Sequence, residues 1–448
     1  MDLFKNLSQK ISAILSATSI SLDDWRRRLA MLAGALLVGL GALAFAHGGD
    51  WAQEFFLWMI SFHPLVPFVL TPLVFAVCAR LTGLVAMEAR GSGIPQVIAA
   101  SRDPDGVVGR GLISLRAGIA KLLLTIMALG GGASVGREGP TVQLGAAVMV
   151  ALHRLFRVKV TPGVLIAGGA AGVAAAFNTP LAGIAFAIEE LAVAYEQRVA
   201  VLVMGAVMIA GLTAQGLAGD YVYFGHINAS LPLTTVLIAA PLAGIVGGVA
   251  GGLFSRLFIM LRGPRGRWTA LLRRQPVLTS ALCGLVVALI GYGSSGATWG
   301  TGYEPTRHLL EGGEVDQWFG ITKFLATLAT SASAIPGGIF APSLAVGAGL
   351  GDLLTPAFAP EHAGEIVLLG MVGYFVGAIR APLTGVIILA ETTGSTGMIL
   401  PLFVTALIAD WAGSMINRER LYHRLAEGFM PEVEDKPSTE SSKPASGS

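Results

Sequence analysis

Apolar residues fill long stretches of the chain, and glycine, proline and a few charged residues interrupt them at short intervals. The runs 29–46 and 201–217 approach the roughly 20 residues that an α-helix needs to cross a bilayer. The runs 164–177 and 180–188 are shorter and are interrupted by Gly and Pro. Because irregular backbone at membrane depth has to line protein or a water-filled cavity, these runs predict tilted or broken helices buried among others. The pattern predicts an all-α, polytopic membrane protein.

The composition agrees with this pattern. Of 448 residues, 54% are hydrophobic and 13% are charged, whereas a soluble domain carries about twice that charged fraction. The net charge is +2 and there is no basic stripe with interleaved aromatic residues, so no nucleic-acid partner is expected. Cys78 and Cys283 both lie in apolar runs. They are expected to be buried thiols, and no disulfide or metal site is predicted.

Basic residues predict the orientation of the chain. Residues 1–28 end in three consecutive arginines directly before the first apolar run, and they lack the features of a signal peptide. The positive-inside rule therefore predicts a retained cytoplasmic N-terminal segment. The same rule assigns the basic clusters at 153–159, 262–274 and 418–424 to the cytoplasmic side, so both termini are expected there.

Three parts of the chain follow from these patterns. Residues 1–28 form the N-terminal segment, and residues 29–425 form one transmembrane domain. Residues 426–448 form a polar tail, which is rich in Lys, Glu, Ser and Pro from about Pro431 and is expected to be disordered.

The transmembrane domain contains a repeat, with halves at about 29–217 and 231–425. The two halves match without a gap at an offset of 202 residues. The matching Gly, Pro and charged pairs are Lys121 and Lys323, Gly136 and Gly338, Pro140 and Pro342, Gly145 and Gly347, Pro180 and Pro382, Gly183 and Gly385, and Glu189 and Glu391. Such duplication is typical of transporters that place the substrate site at the repeat interface.

A charged pair sits inside one of the repeated frames, in the sequence Gly-Arg-Glu-Gly-Pro at 136–140. Its glycines break the helix, and Pro140 suits the first turn of a new helix over 141–152. The repeat copy at 338–342 predicts a second helix start, followed by 343–349. A third break, Gly-Ser-Gly-Ile-Pro at 91–95, contributes a hydroxyl. Three converging helix starts, with free N–H groups and positive dipole ends, would form an anion site.

Glu138 then has a predicted mechanism as a tethered competitor of the anion. Its deprotonated carboxylate occupies the site, and its protonated form leaves it, which links proton and anion binding. The alternative is a loop glutamate that is ion-paired with Arg137. Carboxylates within membranes are usually functional, and the surrounding Gly/Pro frame favours the gating interpretation. For Arg137 we favour a structural ion pair.

A second acidic pair, Glu189-Glu190, points in two directions because adjacent helix residues are about 100° apart. Glu189 has the repeat partner Glu391, which suggests a shared structural role such as capping or pairing. Glu190 is matched by Thr392 and is the candidate for a proton station on the inner side. The alternative for Glu190 is a solvated carboxylate at a helix end.

Three further residues have structural interpretations. Tyr422, taken alone, is typical of an interfacial tyrosine belt. Lys121 could snorkel or pair internally, and its repeat partner Lys323 favours a structural role, although a buried cation would also raise the local potential for anions. Ser134 lies in a G-x-S-x-G sequence, but no alternating strand precedes it, so the serine-hydrolase interpretation is rejected and no enzyme is predicted.

Together these residues resemble the CLC family of chloride channels and chloride/proton antiporters. The resemblance extends from about residue 29 to 425 and rests on the motifs at 91–95, 136–140 and 337–342. It implies a homodimer with a separate anion pathway in each subunit, built from two inverted repeats of tilted and broken helices.

The resemblance also implies residue roles. Ser92 and Tyr422 would be side-chain ligands of a central anion, beside the backbone N–H groups of Ile339 and Phe340. Glu138 would be the external gate and proton acceptor. Other implied features are Glu190 as the internal proton-transfer residue, bound chloride as the only ligand with no cofactor, and a multi-pass position in the cell inner (plasma) membrane.

The branch of the family is predicted from the acidic residues. Having both Glu138 and Glu190 resembles an antiporter, and Ser92 resembles chloride-preferring members. The intact 136–140 motif argues against the fluoride-exporting branch. Thr179 replaces a common alanine, and the cytosolic regulatory domains of many relatives are not seen, so the form resembles prokaryotic members. The alternative is a passive, voltage- or pH-gated chloride channel in which Glu138 only gates.

Overall fold

A computed structural model describes residues 22–191, 197–219, 222–226, 230–263, 270 and 274–430. The predicted N-terminal segment up to residue 21 and the tail from 431 lie outside the described residues, as does most of the basic cluster at 262–274. The described part is almost entirely helical, as predicted. Its one β-bridge joins two single residues and belongs to no strand.

The helices are numbered in chain order within the described ranges. They are α1 Leu22–Phe62, α2 Pro67–Val85, α3 Ile94–Arg102, α4 Val107–Leu112, α5 Leu115–Leu129, α6 Glu138–Leu155, α7 Pro162–Phe177, α8 Pro180–Phe186, α9 Gln197–Ala218, α10 Leu233–Arg262, α11 Pro276–Gly293, α12 Tyr303–Leu310, α13 Phe319–Ala332, α14 Phe340–Asp352, α15 Ala363–Ile379, α16 Pro382–Thr393, α17 Ile399–Ile416 and α18 Leu421–Glu427. A π-helical turn over Ala187–Leu191 extends α8.

Seven of the described helices are long and apolar enough to cross a bilayer, which makes this a multi-pass membrane protein. They are α1, α2, α9, α10, α11, α15 and α17. The apolar helices α7 and α16 have only 16 and 12 residues. At 1.5 Å per residue they reach about 24 and 18 Å, short of the roughly 30 Å hydrocarbon core. The first interrupted run, 164–177, forms α7, and the second run, 180–188, forms the short α8 with its π-helical extension. α16 is the repeat equivalent of α8.

The first helix is longer than its apolar run predicts. It begins at Leu22, so the arginines at 26–28 belong to its first turns, and it continues to Phe62. Asp23 and Asp24 occupy the first turn, where acidic residues complement the helix dipole, and arginine is a good helix former. The proposed boundary at residue 29 is therefore a change in composition and lies inside a continuous helix.

The buried centre is formed by two helix pairs that the repeat relates to each other. In the first half, a Cβ atom on Gly145 of α6 would lie 2.2 Å from the Gly168 carbonyl oxygen of α7. In the second half, a Cβ on Gly347 of α14 would lie 2.7 Å from the Gly370 oxygen of α15. Both pairs approach backbone to backbone, which only glycine permits. The repeat in sequence is thus a repeat in packing.

Candidate functional site

The three predicted helix breaks come together in the structure. The N–H of Gly136 donates to the Gly338 carbonyl at 2.8 Å, and the N–H of Gly338 donates to the Gly136 carbonyl at 2.9 Å. These two glycines are repeat equivalents, so the bridge joins matching points of the two halves. The third break joins through the Gly337 N–H, which donates to the Gly91 carbonyl at 3.3 Å.

Glycine is required where the breaks touch. A Cβ atom on Gly139 would lie 2.4 Å from Ser92 Oγ. Gly93 has a φ of +113°, and a Cβ atom there would lie 2.4 Å from the Gly139 carbonyl oxygen. Any larger residue would push the first turns of α3 and α6 apart. The glycines of the motifs therefore bring the helix starts within contact distance.

The two repeated lysines are buried and hold loop carbonyls. Lys121 Nζ donates to the Gly91 carbonyl at 3.0 Å, which anchors the third break. Lys323 Nζ donates to the carbonyls of Thr298 and Gly300 at 2.9 and 2.8 Å. These contacts confirm the structural role predicted from the repeat.

Glu138 is buried at the first residue of α6 and reaches across to the other half. Its Oε2 accepts from the N–H of Ala341, in the first turn of α14, at 3.4 Å. Arg137 does not form an ion pair with it; its Nη1 instead donates to Asp50 at 2.7 Å and to the Ala46 carbonyl at 2.8 Å. The alternative of a loop glutamate paired with Arg137 is therefore wrong, and the structural ion pair of Arg137 is confirmed, with Asp50.

Two buried hydroxyls face the same region without a hydrogen-bond partner. Ser92 Oγ and the Tyr422 hydroxyl are buried and make no hydrogen bond within the described ranges. The Ser92 hydroxyl is close enough to the Tyr422 hydroxyl to interact with it, and the Tyr422 ring lies 6.0 Å from the ring of Phe340. The N–H groups of Ile339 and Phe340 belong to the start of α14, where no intrahelical acceptor exists.

This donor set suits a monovalent anion. A buried polar group that is left unsatisfied costs about 1–3 kcal/mol, so the two orphaned hydroxyls call for an acceptor between them. Hydroxyl and backbone N–H donors carry no full charge, and a helix N-terminus adds a partial positive charge. An anion held by such donors is stabilised without being trapped by a buried cation.

Glu190 lies on the π-helical turn and is completely buried. Neither of its carboxylate oxygens has a hydrogen-bond partner in the described chain, and His423 Nε2 lies 3.9 Å from its Oε1. Tyr422 interacts electrostatically with both Glu190 and Glu138, so it lies within reach of both acids. The alternative of a solvated helix-end carboxylate is wrong for Glu190, and Tyr422 is a buried residue and not part of an interfacial belt.

Cavities lie at both ends of the membrane part. Arg27 and Asp50 are separated by 23 residues of α1, or about 35 Å along its axis. A cavity of about 470 Å³ is lined by Asp50 and Arg137, next in sequence to the predicted gate. At the Arg27 end, a cavity of about 840 Å³ is lined by Arg27 and Arg102. A smaller cavity of about 80 Å³ borders Ser92.

Comparison with known proteins decides the family. Residues 74–414 match the family model described as voltage gated chloride channel, which covers more than half of the chain. The chain belongs to the CLC family. The resemblance that the three motifs carry is confirmed.

Relatives of this CLC-family chain include proteins named H(+)/Cl(-) exchange transporter ClcA. Those of Yersinia pestis bv. Antiqua (strain Angola) and Yersinia pseudotuberculosis serotype IB (strain PB1/+) are each 30% identical over 433 residues, which is 90% of this chain and 88% of the relative.

Solved structures share the fold. That of a slow cyanobacterial Cl-/H+ antiporter is 24% identical with a TM-score of 0.76, covering 90% of this chain and 97% of that one. That of a CLC-type fluoride/proton antiporter is 22% identical with a TM-score of 0.76, covering 91% and 99%.

The CLC frame of this chain also explains Glu189 and Glu391. The Glu189 carboxylate accepts from the N–H groups of Leu383 and Thr384, at 3.1 and 2.8 Å, at the start of α16. The Glu391 carboxylate accepts from the N–H groups of Leu181 and Ala182, at 3.0 and 2.7 Å, at the start of α8. Each half thus caps a helix of the other, which confirms the predicted shared capping role.

Two residues of this CLC-family chain, His423 and Asp50, were not predicted from the sequence. His423 is not among the predicted residues, although it is adjacent to Tyr422. Asp50 is also absent from the prediction, because 87 residues separate it from Arg137. Ser134 has a structural environment, with its Oγ 2.9 Å from Thr327 Oγ1.

Proposed function

We propose that this protein is a chloride/proton antiporter in which Glu138 competes with chloride for the start of α14. The observation that carries the proposal is the contact between the Glu138 carboxylate and the Ala341 N–H, at 3.4 Å. A carboxylate at a helix N-terminus satisfies donors that an anion would otherwise satisfy. Glu138 and chloride then exclude each other from the same donors.

The central anion is proposed to lie between Ser92 and Tyr422 at the start of α14. Their orphaned hydroxyls and the N–H groups of Ile339 and Phe340 are the donors. When Glu138 is protonated it loses its attraction to these donors and swings away, which opens the path for chloride. Chloride that enters in turn favours the protonated, displaced form. This linkage is the minimum that coupled exchange requires.

Protons on the inner side are proposed to pass through Glu190. It is buried, and Tyr422 interacts with both Glu190 and Glu138, so Glu190 suits a second proton donor and acceptor beside the anion site. The relatives named H(+)/Cl(-) exchange transporter support coupling over passive conduction. Glu138 is the external gate in this proposal, and Glu190 is the internal station.

The proposed setting is the cell inner membrane, with both termini in the cytoplasm and two subunits that each contain a complete pathway. The basic residues at the Arg27 end support the orientation. Large apolar side chains remain exposed on α9 and α17, including Met208, Leu407 and Trp411, and these surfaces suit lipid or a second subunit.

The test is proton movement in liposomes that contain the purified protein, driven only by a chloride gradient at controlled voltage. Proton uptake against its own gradient is expected. Chloride flux without coupled protons would instead indicate a passive channel, with Glu190 as a structural carboxylate. Absence of both fluxes would contradict the transport proposal for chloride.

A further inference from the structure

Glu190 has no direct contact with water. Its side chain has 0% exposure, and neither carboxylate oxygen has a hydrogen-bond partner in the described chain. A proton that enters or leaves this carboxylate therefore needs an intermediary. The sequence motifs do not supply one.

His423 occupies the required position. Its Nε2 lies 3.9 Å from Glu190 Oε1, and its side chain is 30% exposed. It therefore lies beside the buried acid and is itself partly exposed. Within the described residues, no other basic side chain comes within 4.0 Å of Glu190.

We propose that His423 is the proton-transfer residue that connects Glu190 to the aqueous phase at the Arg27 end of the protein. This inference rests on the proposed antiport. A neutral imidazole accepts a proton at one nitrogen and donates from the other. One ring nitrogen accepts a proton from a hydronium ion, which leaves water, and the other gives its own proton to the Glu190 carboxylate. Both groups are then neutral, and the reverse sequence returns the proton.

The separation of 3.9 Å is longer than a hydrogen bond. A single bridging water or a small rotation of the imidazole closes this gap. The route outward passes Arg102, whose charge acts on His423 and which lines the cavity of about 840 Å³.

The surrounding charges favour transfer over storage of the proton. His423 lies in α18, beyond the last of the apolar spans. Burial, followed by the positive charges of Arg420 and Arg102, lowers the pKa of His423. Glu190 faces it from the π-helical turn, and Arg424 of the same helix is paired with Glu419 and Glu427. A lowered pKa favours the neutral imidazole, which releases an added proton readily.

A second His–Glu pair provides a matched control. His362 Nδ1 lies 3.9 Å from Glu365 Oε1, and both side chains are largely buried. This pair is at the start of α15, away from Glu190. Substituting His362 removes an imidazole from the same kind of contact without touching the proposed path.

The experiment compares His423→Ala with His362→Ala as full-length protein in liposomes. Positioned acid–base groups contribute roughly 10²–10⁴-fold to proton transfer, so His423→Ala should lower chloride-driven proton flux by at least about tenfold. Imidazole added to the buffer should restore much of this flux, because it fills the space left by the side chain. Chloride affinity, measured by calorimetry, should stay unchanged. His362→Ala should change none of these quantities.

Each other result overturns the inference in a recognisable way. If the unmodified protein moves chloride without protons, the proposed antiport fails first. If it couples and His423→Ala keeps its proton flux, the antiport stands and the transfer role is wrong. Lost proton flux with weakened chloride binding and no rescue by imidazole would mean a structural role. His423→Gln, which keeps the size and polarity, gives the same comparison if the alanine variant folds poorly.

Discussion

The starts of α6 and α14 share a backbone arrangement and differ in their side chains. Both begin after a glycine that pairs with its repeat partner, and both have a proline as their third residue. At the matching first position one helix has Glu138 and the other has Phe340. The carboxylate reaches the donors of the opposite helix, whereas the Phe340 ring packs 5.0 Å from Phe375 and 5.6 Å from Phe186.

The second acidic region repeats this contrast. Glu189 and Glu391 are alike in both halves, and both cap helices. Glu190 is matched by Thr392, whose hydroxyl bonds to the Ile388 carbonyl of its own helix. Acidic residues that are identical in the two halves cap helices. Acidic residues that differ between the halves are those to which proton transfer is assigned. The following predictions test this division.

Glu138→Gln should have the largest effect. Wild-type chloride flux should rise as pH falls, because protonation removes the carboxylate from the start of α14. The amide cannot titrate, so flux should become independent of pH and coupled proton flux should fall at least about 100-fold. Liposome flux across a pH series measures both. Glu311→Gln, at an exposed carboxylate paired with Arg307, is the control. Unchanged coupling in Glu138→Gln contradicts the competition mechanism.

Glu190→Gln removes the other acid that has no acidic repeat partner. It should uncouple proton movement from chloride movement. Proton flux should fall about 10- to 100-fold, whereas chloride should still bind and move. The comparison variant is Glu391→Gln, which changes an acid of the symmetric pair. Proton flux in the two variants, at equal protein in the liposomes, makes the test. If Glu391→Gln lost coupling as strongly as Glu190→Gln, the division between frame and function would be wrong.

The double variant Ser92→Ala with Tyr422→Phe should weaken chloride binding by about tenfold, because each lost hydrogen bond contributes about 0.5–1.5 kcal/mol. Phenylalanine preserves the ring against Phe340. Titration calorimetry gives the affinity. Ser134→Ala is the control, since Ser134 bonds to Thr327 and not to the proposed anion. Equal affinity in the double variant and the wild type would mean that these hydroxyls are not ligands.

Glu189→Gln and Glu391→Gln should have the smallest and most equal effects. Each weakens two charge-assisted bonds to backbone N–H groups, and Glu189→Gln also weakens the bond from Thr384 Oγ1. Each should lower the free energy of unfolding by about 1–2 kcal/mol. Thermal unfolding in detergent, with the same buffer for both, measures the difference. Costs that differ by more than about 1 kcal/mol would show that the two caps are not equivalent.

The sequence predicted the helix breaks and the repeat better than it predicted contacts between distant residues. Helix breaks, the repeat and the capping role of Glu189 and Glu391 follow from local chemistry and the fixed offset. Helix ends were less accurate: the starts at Glu138 and Phe340 lie three residues before the predicted ones. The N–H groups in the first turn of a helix have no intrahelical acceptor. Glycine and a charged residue are therefore tolerated in that turn.

Contacts between distant parts of the chain were not predictable. Nothing local indicates that Arg137 pairs with Asp50, or that the caps of Glu189 and Glu391 cross between the halves. His423 was missed because it lies on a short helix, belongs to no motif and has no repeat partner. Its relation to Glu190 exists only once α18 has packed against the first half.

The bridge between Gly136 and Gly338 has a consequence for synthesis. Its two partners are 202 residues apart, so at about 5–20 residues per second the first half waits roughly 10–40 s for the second. During that time the start of α6 lacks its backbone partners, and Glu138 lacks the Ala341 N–H. The two halves are therefore not separate folding units at this point. The site forms only when the second half of the nascent chain packs against the first half.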